Sequence, residues 1–372
     1  MSDNESVQKI FNEVIWYYKY HFEDWLPLVC NAESKRFTFL GREGGKHITG
    51  KRVIIKLFVL NDQSLLDILR EEYLLACGKP SDYFVEIIDT IISKNKYIYL
   101  VLREEGVNLR DFINCKQYNH SESDPDYARF IIFRIACGLK VLHEKHFSHN
   151  DIKPGNIVIQ GQGKVKICDL GSTAKASQKW CGTNGYFSPQ VLLKENNTEK
   201  DDMWSLGIVF LELIKKQTEI FALKTDQKVE NIRRILLEYI LTEFYDISAH
   251  EGDWNEDINY NEIINCIKDN EYEKFNYRLK DSLLTGINEE DKEIITKLLE
   301  INPAKRWTAN DLINSNLFKR KEYKFFKSNF EYEENDYEKY LDRGEITLEQ
   351  FKKFHKEIEQ KIHGIPIFEN KN

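Results

Sequence analysis

Apolar side chains recur every three or four residues in four stretches of the chain, the spacing that places them on one face of an α-helix. This pattern predicts amphipathic helices over residues 5–25, 64–77, 128–142 and 347–362. In the first of these helices, the apolar positions are Val7, Phe11, Val14, Tyr18, Phe22 and Trp25. Residues 202–211 are apolar nearly all round, which is typical of a helix that runs through the interior of a domain.

Shorter apolar runs, bounded by turn residues, predict β-strands in two parts of the chain. The runs of the first group span residues 36–40, 51–57, 85–89 and 97–102. The second group comprises residues 156–159 and 164–168, which are joined by the polar turn at residues 160–163. This spacing predicts a β-hairpin, and the hairpin brings Asn156 and Asp169 together.

Composition and charge narrow the class of protein. The 372 residues are enough for two domains, and the proportions of charged residues (31%) and hydrophobic residues (41%) are those of a globular protein. The net charge of −8 argues against a general binder of nucleic acid or anionic membrane. The amino terminus is polar and acidic, and no apolar run is long enough to span a membrane, so we expect neither a signal peptide nor a membrane span.

The cysteines indicate the compartment. The seven cysteines are scattered and form no close Cys-x-x-Cys pair, so the sequence predicts neither a disulfide framework nor a zinc site. We therefore expect an intracellular protein in the cytoplasm. The basic run at residues 319–321 leaves a nuclear location open, although such runs are more often solvated surface.

One polar stretch stands out as a candidate for chemistry. His149-Asn150-Asp151-Ile152-Lys153-Pro154-Gly155-Asn156 is followed, eighteen residues after Asp151, by Asp169-Leu170-Gly171. Two acids, a lysine and a carboxamide at this spacing are typical of phosphoryl transfer, in which catalysis comes from positioning and from neutralising charge on phosphate oxygens. Asp151 would orient the attacking hydroxyl, and Lys153 would place a positive charge beside the phosphoryl group. Asn156 and Asp169 would supply hard oxygen ligands for Mg²⁺.

These strings resemble the catalytic and magnesium loops of eukaryotic-type protein kinases. The resemblance covers about residues 26–318 and implies an α+β fold of two lobes, a small antiparallel-sheet lobe and a mostly helical large lobe. It implies a small lobe at residues 26–105 and a large lobe at 106–318. These are flanked by an N-terminal helical extension at 1–25 and a charged helical tail at 319–372.

The resemblance also assigns residues of the small lobe to the nucleotide. Lys56, in a predicted strand, corresponds to the lysine that holds the α- and β-phosphates of ATP and pairs with a glutamate on the next helix. We expect that glutamate to be Glu71, with Glu72 as the alternative. Ile54 takes the position where the family usually has alanine against the adenine ring, and Leu102 and Glu104 follow at the back of the pocket and at the hinge.

The loop that covers the nucleotide departs from the family. Strand lengths place it at residues 30–35, where Asn31 and Ser34 would contact ATP but no glycine occurs. The alternative loop is the glycine-rich stretch at residues 41–45, which would leave little room for a strand before Lys56.

The large lobe departs from the family at two further positions. Asn150 replaces the arginine that grips a phosphorylated activation loop, so we expect activity that does not depend on phosphorylation of that loop. Gln190 replaces a glutamate that, in the family, forms an ion pair with an arginine near the end of the domain. That arginine is Arg306 here, so we expect the ion pair to be reduced to a hydrogen bond at best. Asp202 is expected to brace the catalytic loop by accepting its backbone N–H groups.

We therefore expect a serine/threonine protein kinase that uses ATP and Mg²⁺ to phosphorylate protein hydroxyls. Thr183 in the substrate-docking loop, together with Lys153, indicates serine/threonine specificity. Two alternatives stay open: a pseudokinase that binds nucleotide or serves as a scaffold, and a small-molecule phosphotransferase. The terminal helices are candidates for binding a partner or a second copy of the chain, although packing on the adjacent lobe is the simpler interpretation for the first of them.

Overall fold

A computed structural model describes residues 20–22, 29–31, 36–44, 50–60, 68, 83–93, 96–104, 106–114, 125–160, 164–175, 182–193, 198–222, 232–248, 259–320 and 352. These residues fall into two compact units that divide between Gly106 and Val107.

The first unit is built on a six-stranded antiparallel sheet. Its strands are β1 (Tyr20–Phe22), β2 (Val29–Asn31), β3 (Arg36–Glu43), β4 (Arg52–Val59), β5 (Ile87–Ser93) and β6 (Tyr97–Arg103). The order across the sheet is β1-β3-β4-β6-β5, and β2 pairs with the other end of β3. The strands predicted from the first group of apolar runs are therefore confirmed, with bounds shifted by a few residues.

The helix predicted over residues 5–25 is wrong near its end. Tyr20–Phe22 form β1, which pairs with residues 41–43 of β3. The aromatic residues at positions 18, 20 and 22 also fit the two-residue period of a strand, and aromatic side chains favour strands once a partner strand is available. The side chain of Tyr20 is buried, and its hydroxyl donates to Asp89 Oδ2 at 3.1 Å. The rest of the predicted helix lies outside the described residues.

The alternation along β4 separates two faces of the sheet. Val53, Ile55 and Leu57 are buried in a hydrophobic cluster with residues of β3, β5 and β6. Ile54 and Lys56 point to the other face because successive side chains in a strand alternate. The register places Ile54 between Leu40 and Leu102, and Lys56 between Thr38 and Leu100. Ile54 and Lys56 are thus adjacent side chains on the same face of the sheet.

The second unit is mostly helical. Its helices are α1 (Leu109–Asn114), α2 (Pro125–His143), α3 (Pro189–Leu192), α4 (Glu199–Lys215), α5 (Ile232–Phe244), α6 (Tyr260–Lys268), α7 (Asp281–Leu284), α8 (Glu289–Leu298), α9 (Ala309–Ile313) and α10 (Asn316–Arg320). Its short strands are β7 (Val107–Asn108), β8 (Phe147–Ser148), β9 (Ile157–Gln160), β10 (Lys164–Ile167), β11 (Ala174–Lys175), β12 (Tyr245–Ser248) and β13 (Asn276–Leu279). The predicted helix at 128–142 and the predicted hairpin are confirmed as α2 and β9–β10.

Helix α4 forms the centre of this unit. It is buried over most of its circumference, as its apolar sequence predicts, and it packs against α2 and α8. Gly207 makes the contact with α8 possible, because a Cβ at this position would lie 2.8 Å from Leu298 Cβ. On the neighbouring helix, the buried Arg129 donates to Asp291 Oδ1 at 2.7 Å, which ties α2 to α8.

The remaining helix predictions fall largely outside the described residues. Of the helix at residues 64–77, only Ile68 is described; it is helical and fully buried. Of the tail helix, only Lys352 is described, and it is also helical. Within the part of the chain that the structure describes, no helix is long and apolar enough to cross a membrane.

Candidate active site

The catalytic loop is held in place by a buried carboxylate on α4. Asp202 Oδ2 accepts a hydrogen bond from the backbone N–H of His149 at 2.7 Å, and Oδ1 accepts one from Asn150 at 2.8 Å. Asp202 Oδ2 also lies 2.9 Å from Nε2 of the buried His143. The predicted bracing role of Asp202 is confirmed. Asn150 adopts a left-handed conformation (φ 67°), which asparagine tolerates better than most residues.

Asp151 is the centre of a cluster of four polar side chains. Its Oδ1 accepts a hydrogen bond from Thr183 Oγ1 at 2.7 Å. Its Oδ2 accepts from Lys153 Nζ at 2.7 Å and from Asn156 Nδ2 at 2.9 Å. Lys153 Nζ also donates to Thr183 Oγ1 at 2.7 Å. Since Asp151 is only 9% exposed, these polar contacts lie in a region of low dielectric, where they are stronger than at the surface.

The hairpin places Asn156 beside the chain segment that leads to Asp169. The backbone N–H of Cys168 donates to the carbonyl of Asn156 at 2.9 Å, which extends the pairing of β9 with β10. The Asn156 side chain is buried, and its amide nitrogen donates to the carbonyl and to Oδ2 of Asp151. Its amide oxygen therefore remains to act as an acceptor or ligand. Asp169 follows Cys168 in a left-handed conformation (φ 66°).

Asn150 also contacts the segment after Asp169 at two points. Its Nδ2 donates to the backbone carbonyl of Ser172 at 3.0 Å. Its own carbonyl packs closely against Gly182, where a Cβ would lie 2.4 Å from the Asn150 oxygen and where φ is 129°. A residue other than glycine would be excluded at position 182 by both the contact and the backbone conformation.

The docking segment, residues 182–188, is fixed to one face of α4. Asp201, Ser205 and Glu212 are four and seven residues apart, so their side chains lie on the same side of the helix. Ser205 Oγ donates to the carbonyl of Tyr186 at 2.8 Å, and the Tyr186 hydroxyl donates to Glu212 Oε2 at 3.1 Å. Ser188 Oγ donates to Asp201 Oδ1 at 2.5 Å.

Burial changes the acidity of the groups that hold Tyr186. Glu212 is fully buried, and this burial raises its pKa to about 7, although hydrogen bonds from the backbone of Ile220 and from Tyr186 oppose the change. Burial also raises the pKa of the Tyr186 hydroxyl, and the neighbouring carboxylate raises it further. The Tyr186 hydroxyl therefore keeps its proton at physiological pH and can donate a hydrogen bond to Glu212.

The expected hydrogen bond between Gln190 and Arg306 is present. Arg306 Nη2 donates to Gln190 Oε1 at 2.9 Å. The amide nitrogen of Gln190 donates to the carbonyl of Ile301 at 2.8 Å and to the Tyr272 hydroxyl at 3.0 Å. The glutamine therefore uses both ends of its carboxamide, which a glutamate could not do.

The predicted residues of the nucleotide site lie in the first unit or outside the described residues. Ile54, Lys56 and Leu102 share one face of the sheet, and Glu104 lies 3.7 Å from Arg52. The backbone of Asn31 ends β2. Ser34, Glu71 and Glu72 lie outside the described residues.

Strand pairing bears on the two candidate positions of the covering loop. β2 and β3 pair antiparallel with Asn31 opposite Arg36, and the predicted loop residues between these two positions lie outside the described residues. The alternative loop at residues 41–45 is wrong, because Gly41 pairs with both Phe22 and Val53 within the sheet. Residues of β3 that must pair on both sides cannot form a covering loop.

Sequence analysis did not identify Asp201, Glu212 or His143 as part of this arrangement. The signal for Asp201 was present, because Thr198 and Asp201 form a capping box at the start of α4. The partners of Glu212 and His143 lie 26 and 59 residues away, so local sequence could not indicate them.

The chain belongs to the protein kinase family: residues 41–318, more than half of the chain, match the protein kinase domain. Curated relatives agree. Serine/threonine-protein kinase CLA4 of Saccharomyces cerevisiae is 28% identical over 194 residues, which cover 50% of this chain and 23% of that protein. A "probable serine/threonine-protein kinase" of Encephalitozoon cuniculi is 32% identical over 195 residues, covering 52% of this chain and 36% of the relative.

A third relative matches over a longer region. The "probable cyclin-dependent kinase 8" of Dictyostelium discoideum is 27% identical over 262 residues, which cover 64% of this chain and 66% of the relative. The chain therefore spans about a quarter to two thirds of the length of these relatives. The expected eukaryotic-type kinase family and its α+β fold are confirmed.

Proposed function

We propose that the protein is a serine/threonine protein kinase that transfers the γ-phosphoryl group of ATP to hydroxyl groups of protein substrates. The observation that carries the proposal is the contact of Asp151 with Lys153, Asn156 and Thr183 in one buried cluster. The relatives described above are named as serine/threonine or cyclin-dependent kinases, which supports the same class of reaction.

In the proposed reaction, Asp151 orients the attacking hydroxyl and accepts its proton. The hydroxyl oxygen forms a bond to the γ-phosphorus as the bond to the β–γ bridging oxygen breaks, and ADP leaves. Lys153 lies within hydrogen-bond distance of Asp151, so its ammonium group can balance negative charge on the transferring phosphoryl oxygens. The buried network around Asp151 supports this role because it fixes the carboxylate before substrate binds.

The donor set near Asp151 fits Mg²⁺. Asn156 and Asp169 would hold the ion, since an amide oxygen and a carboxylate are the hard ligands that Mg²⁺ prefers. The Asn156 amide nitrogen donates both of its hydrogen bonds to Asp151, which leaves the amide oxygen available. When bound, Mg²⁺ would neutralise charge on the β- and γ-phosphates.

The nucleotide contacts of the first unit are part of the same proposal. Lys56 would bind the α- and β-phosphates and pair with Glu71. Ile54 and Leu102, which are neighbours across β4 and β6, would contact the adenine ring, with Glu104 following at the end of β6. Asn31 at the end of β2 would cover the phosphates together with Ser34, which lies outside the described residues.

Specificity for serine and threonine is supported by Thr183. Its hydroxyl donates to Asp151 and accepts from Lys153, so the docking segment is bound directly to the catalytic carboxylate and its partner lysine. We propose further that the protein acts in the cytoplasm, in keeping with the scattered cysteines. We also propose that the terminal helices bind a partner or a second copy of the chain.

Transfer of radiolabel from ATP to a basic and an acidic generic protein substrate tests the proposal. We expect incorporation that requires Mg²⁺, is lost with EDTA, and yields phosphoserine and phosphothreonine after acid hydrolysis. Phosphotyrosine as the main product would contradict the specificity. Binding of Mg-ATP without any transfer would favour a nucleotide-binding pseudokinase, and transfer to small molecules alone would favour a small-molecule phosphotransferase.

A further inference from the structure

A buried arginine in the second unit requires a negative partner. Arg306 is 1% exposed, and its guanidinium stacks over the Trp204 ring at 5.1 Å. Its nitrogens donate to the carbonyls of Glu300 and Lys200, each at 2.9 Å, and to Gln190 Oε1. None of these acceptors carries a charge. A buried cation without a counter-charge would be strongly destabilising.

Asp201 supplies that charge. Its Oδ1 lies 3.6 Å from Arg306 Nη1, and among the described residues no other carboxylate forms an ion pair with this arginine. The polar neighbours of the Asp201 oxygens are all donors: Ser188 Oγ at 2.5 Å, Thr198 N at 2.7 Å and Thr198 Oγ1 at 3.2 Å. An ionised carboxylate is the form that accepts from donors on every side.

Asp201 also connects Arg306 to the docking segment. Ser188, which ends that segment, donates to Asp201 and accepts from the backbone N–H of Val191, so its side chain is held on both sides. Five residues earlier, Thr183 contacts Asp151. A shift of Ser188 would therefore be transmitted over a short distance to Thr183.

We propose that Asp201 is the counter-charge of Arg306, in place of the glutamate that kinases usually carry at position 190, and that it is a positioning residue for the docking segment. The counter-charge is a property of the fold alone. The positioning role rests on the proposed kinase function.

Four variants of the full chain test the two roles proposed for Asp201, the counter-charge of Arg306 and the positioning of the docking segment. Asp201→Asn removes the charge and keeps the shape. Gln190→Glu places a carboxylate where Arg306 already donates, and the double variant Asp201→Asn/Gln190→Glu moves the charge from one side of the arginine to the other. Asp311→Asn is the matched control, because Thr308 and Asp311 form the same type of capping box at α9 without contacting Arg306.

Thermal unfolding tests the counter-charge. We expect Asp201→Asn to lower Tm by roughly 6–20 °C, the range for breaking a buried ion pair in a domain of this size. Asp311→Asn should lower it by only about 2–4 °C, as expected for a lost cap. Gln190→Glu alone should also lower Tm, since it adds a second buried acid and loses the hydrogen bond from the Gln190 amide to the carbonyl of Ile301. In the Asp201→Asn background it should raise Tm, because the restored charge beside Arg306 outweighs that lost hydrogen bond. Additive losses in the double variant, or equal losses for Asp201→Asn and Asp311→Asn, would overturn the assignment.

If Asp201→Asn does not fold, the yield of soluble protein from the double variant tests the counter-charge assignment instead of Tm. We then expect the double variant to be soluble and to show cooperative unfolding. Failure of Gln190→Glu to restore soluble protein would overturn the counter-charge assignment.

Steady-state kinetics test the positioning role. Asp201→Asn should raise KM for a peptide substrate by roughly tenfold or more, while KM for ATP stays within about twofold, and the double variant should recover part of the loss. Equal effects on both KM values would overturn the positioning role. If the wild-type protein transfers no phosphate, the proposed function fails, whereas the Tm comparison still decides whether Asp201 balances Arg306.

Discussion

Replacing Glu212 by Gln should remove a large part of the pH dependence of stability. Glu212 is buried on α4, where it accepts hydrogen bonds from Tyr186 and from the backbone of Ile220. The charged groups near it are Arg110 and Glu219, which pair with each other at 3.1 Å. Burial raises the pKa of Glu212 from 4.5 to about 7, so the folded protein binds this proton more tightly than the unfolded chain does.

The sign and size of the effect follow from this difference. The stabilisation by the protonated carboxyl is fully present below pH 4.5 and is lost as pH rises through the folded pKa of about 7. The two pKa values differ by about 2.5 pH units, and each unit corresponds to 1.36 kcal/mol, which gives about 3 kcal/mol over the full range. Between pH 5 and pH 8, the expected loss is about 2.5 kcal/mol, or roughly 5–10 °C in Tm for a domain of this size.

Thermal unfolding at pH 5, 6, 7 and 8 measures this effect. The Tm of the wild-type protein minus that of Glu212→Gln should become more negative by roughly 5–10 °C across the series. Glu238→Gln is the control, because this glutamate forms only a surface pair with Arg234 and should give a nearly constant difference. A difference between wild type and Glu212→Gln that stays constant from pH 5 to pH 8 would refute the raised pKa of Glu212.

Three further outcomes are expected. Asp202→Ala should lower stability by about 3–5 kcal/mol and abolish turnover, because it removes a buried acceptor of two catalytic-loop N–H groups; urea unfolding and a transfer assay check both effects. Phosphatase treatment should reduce turnover by less than about tenfold, since Asn150 contacts Ser172 and Gly182 without phosphate, and a larger loss would show that the loop needs modification. Mg-ATP should slow alkylation of Cys168, and identical labelling rates with and without Mg-ATP would place this half-buried thiol away from the nucleotide.

The catalytic cluster could be predicted from sequence because its members are close in the chain. One loop and the hairpin that follows it contain Asp151, Lys153 and Asn156. Their short separation in the sequence therefore already indicates that their side chains lie close together. Thr183 comes from a separate segment, and only the family resemblance indicated it. The structure then supplied what spacing could not, namely that the Thr183 hydroxyl bonds to both Asp151 and Lys153.

The errors and omissions have physical causes. Phe22 fits both a helical and a strand period, and pairing with Gly41 of β3, nineteen residues away, decides between them. Asp201 and Arg306 are separated by more than one hundred residues, so their ion pair depends on the packing of α4 against the segment that precedes α9. The acidity of Glu212 likewise depends on complete burial, which its own sequence neighbourhood does not determine.

A comparison of the wild-type protein with Asp151→Asn under saturating Mg-ATP and protein substrate tests whether Asp151 is the catalytic carboxylate. We expect kcat to fall by about 10²–10⁴-fold, the contribution typical of a positioned general base, while the Kd for Mg-ATP measured by calorimetry changes by less than about threefold. Glu144→Gln, an exposed glutamate that pairs with Lys140 at the surface, serves as the control and should leave both values unchanged. Turnover by Asp151→Asn at the wild-type rate would contradict the assignment of Asp151 as the catalytic carboxylate.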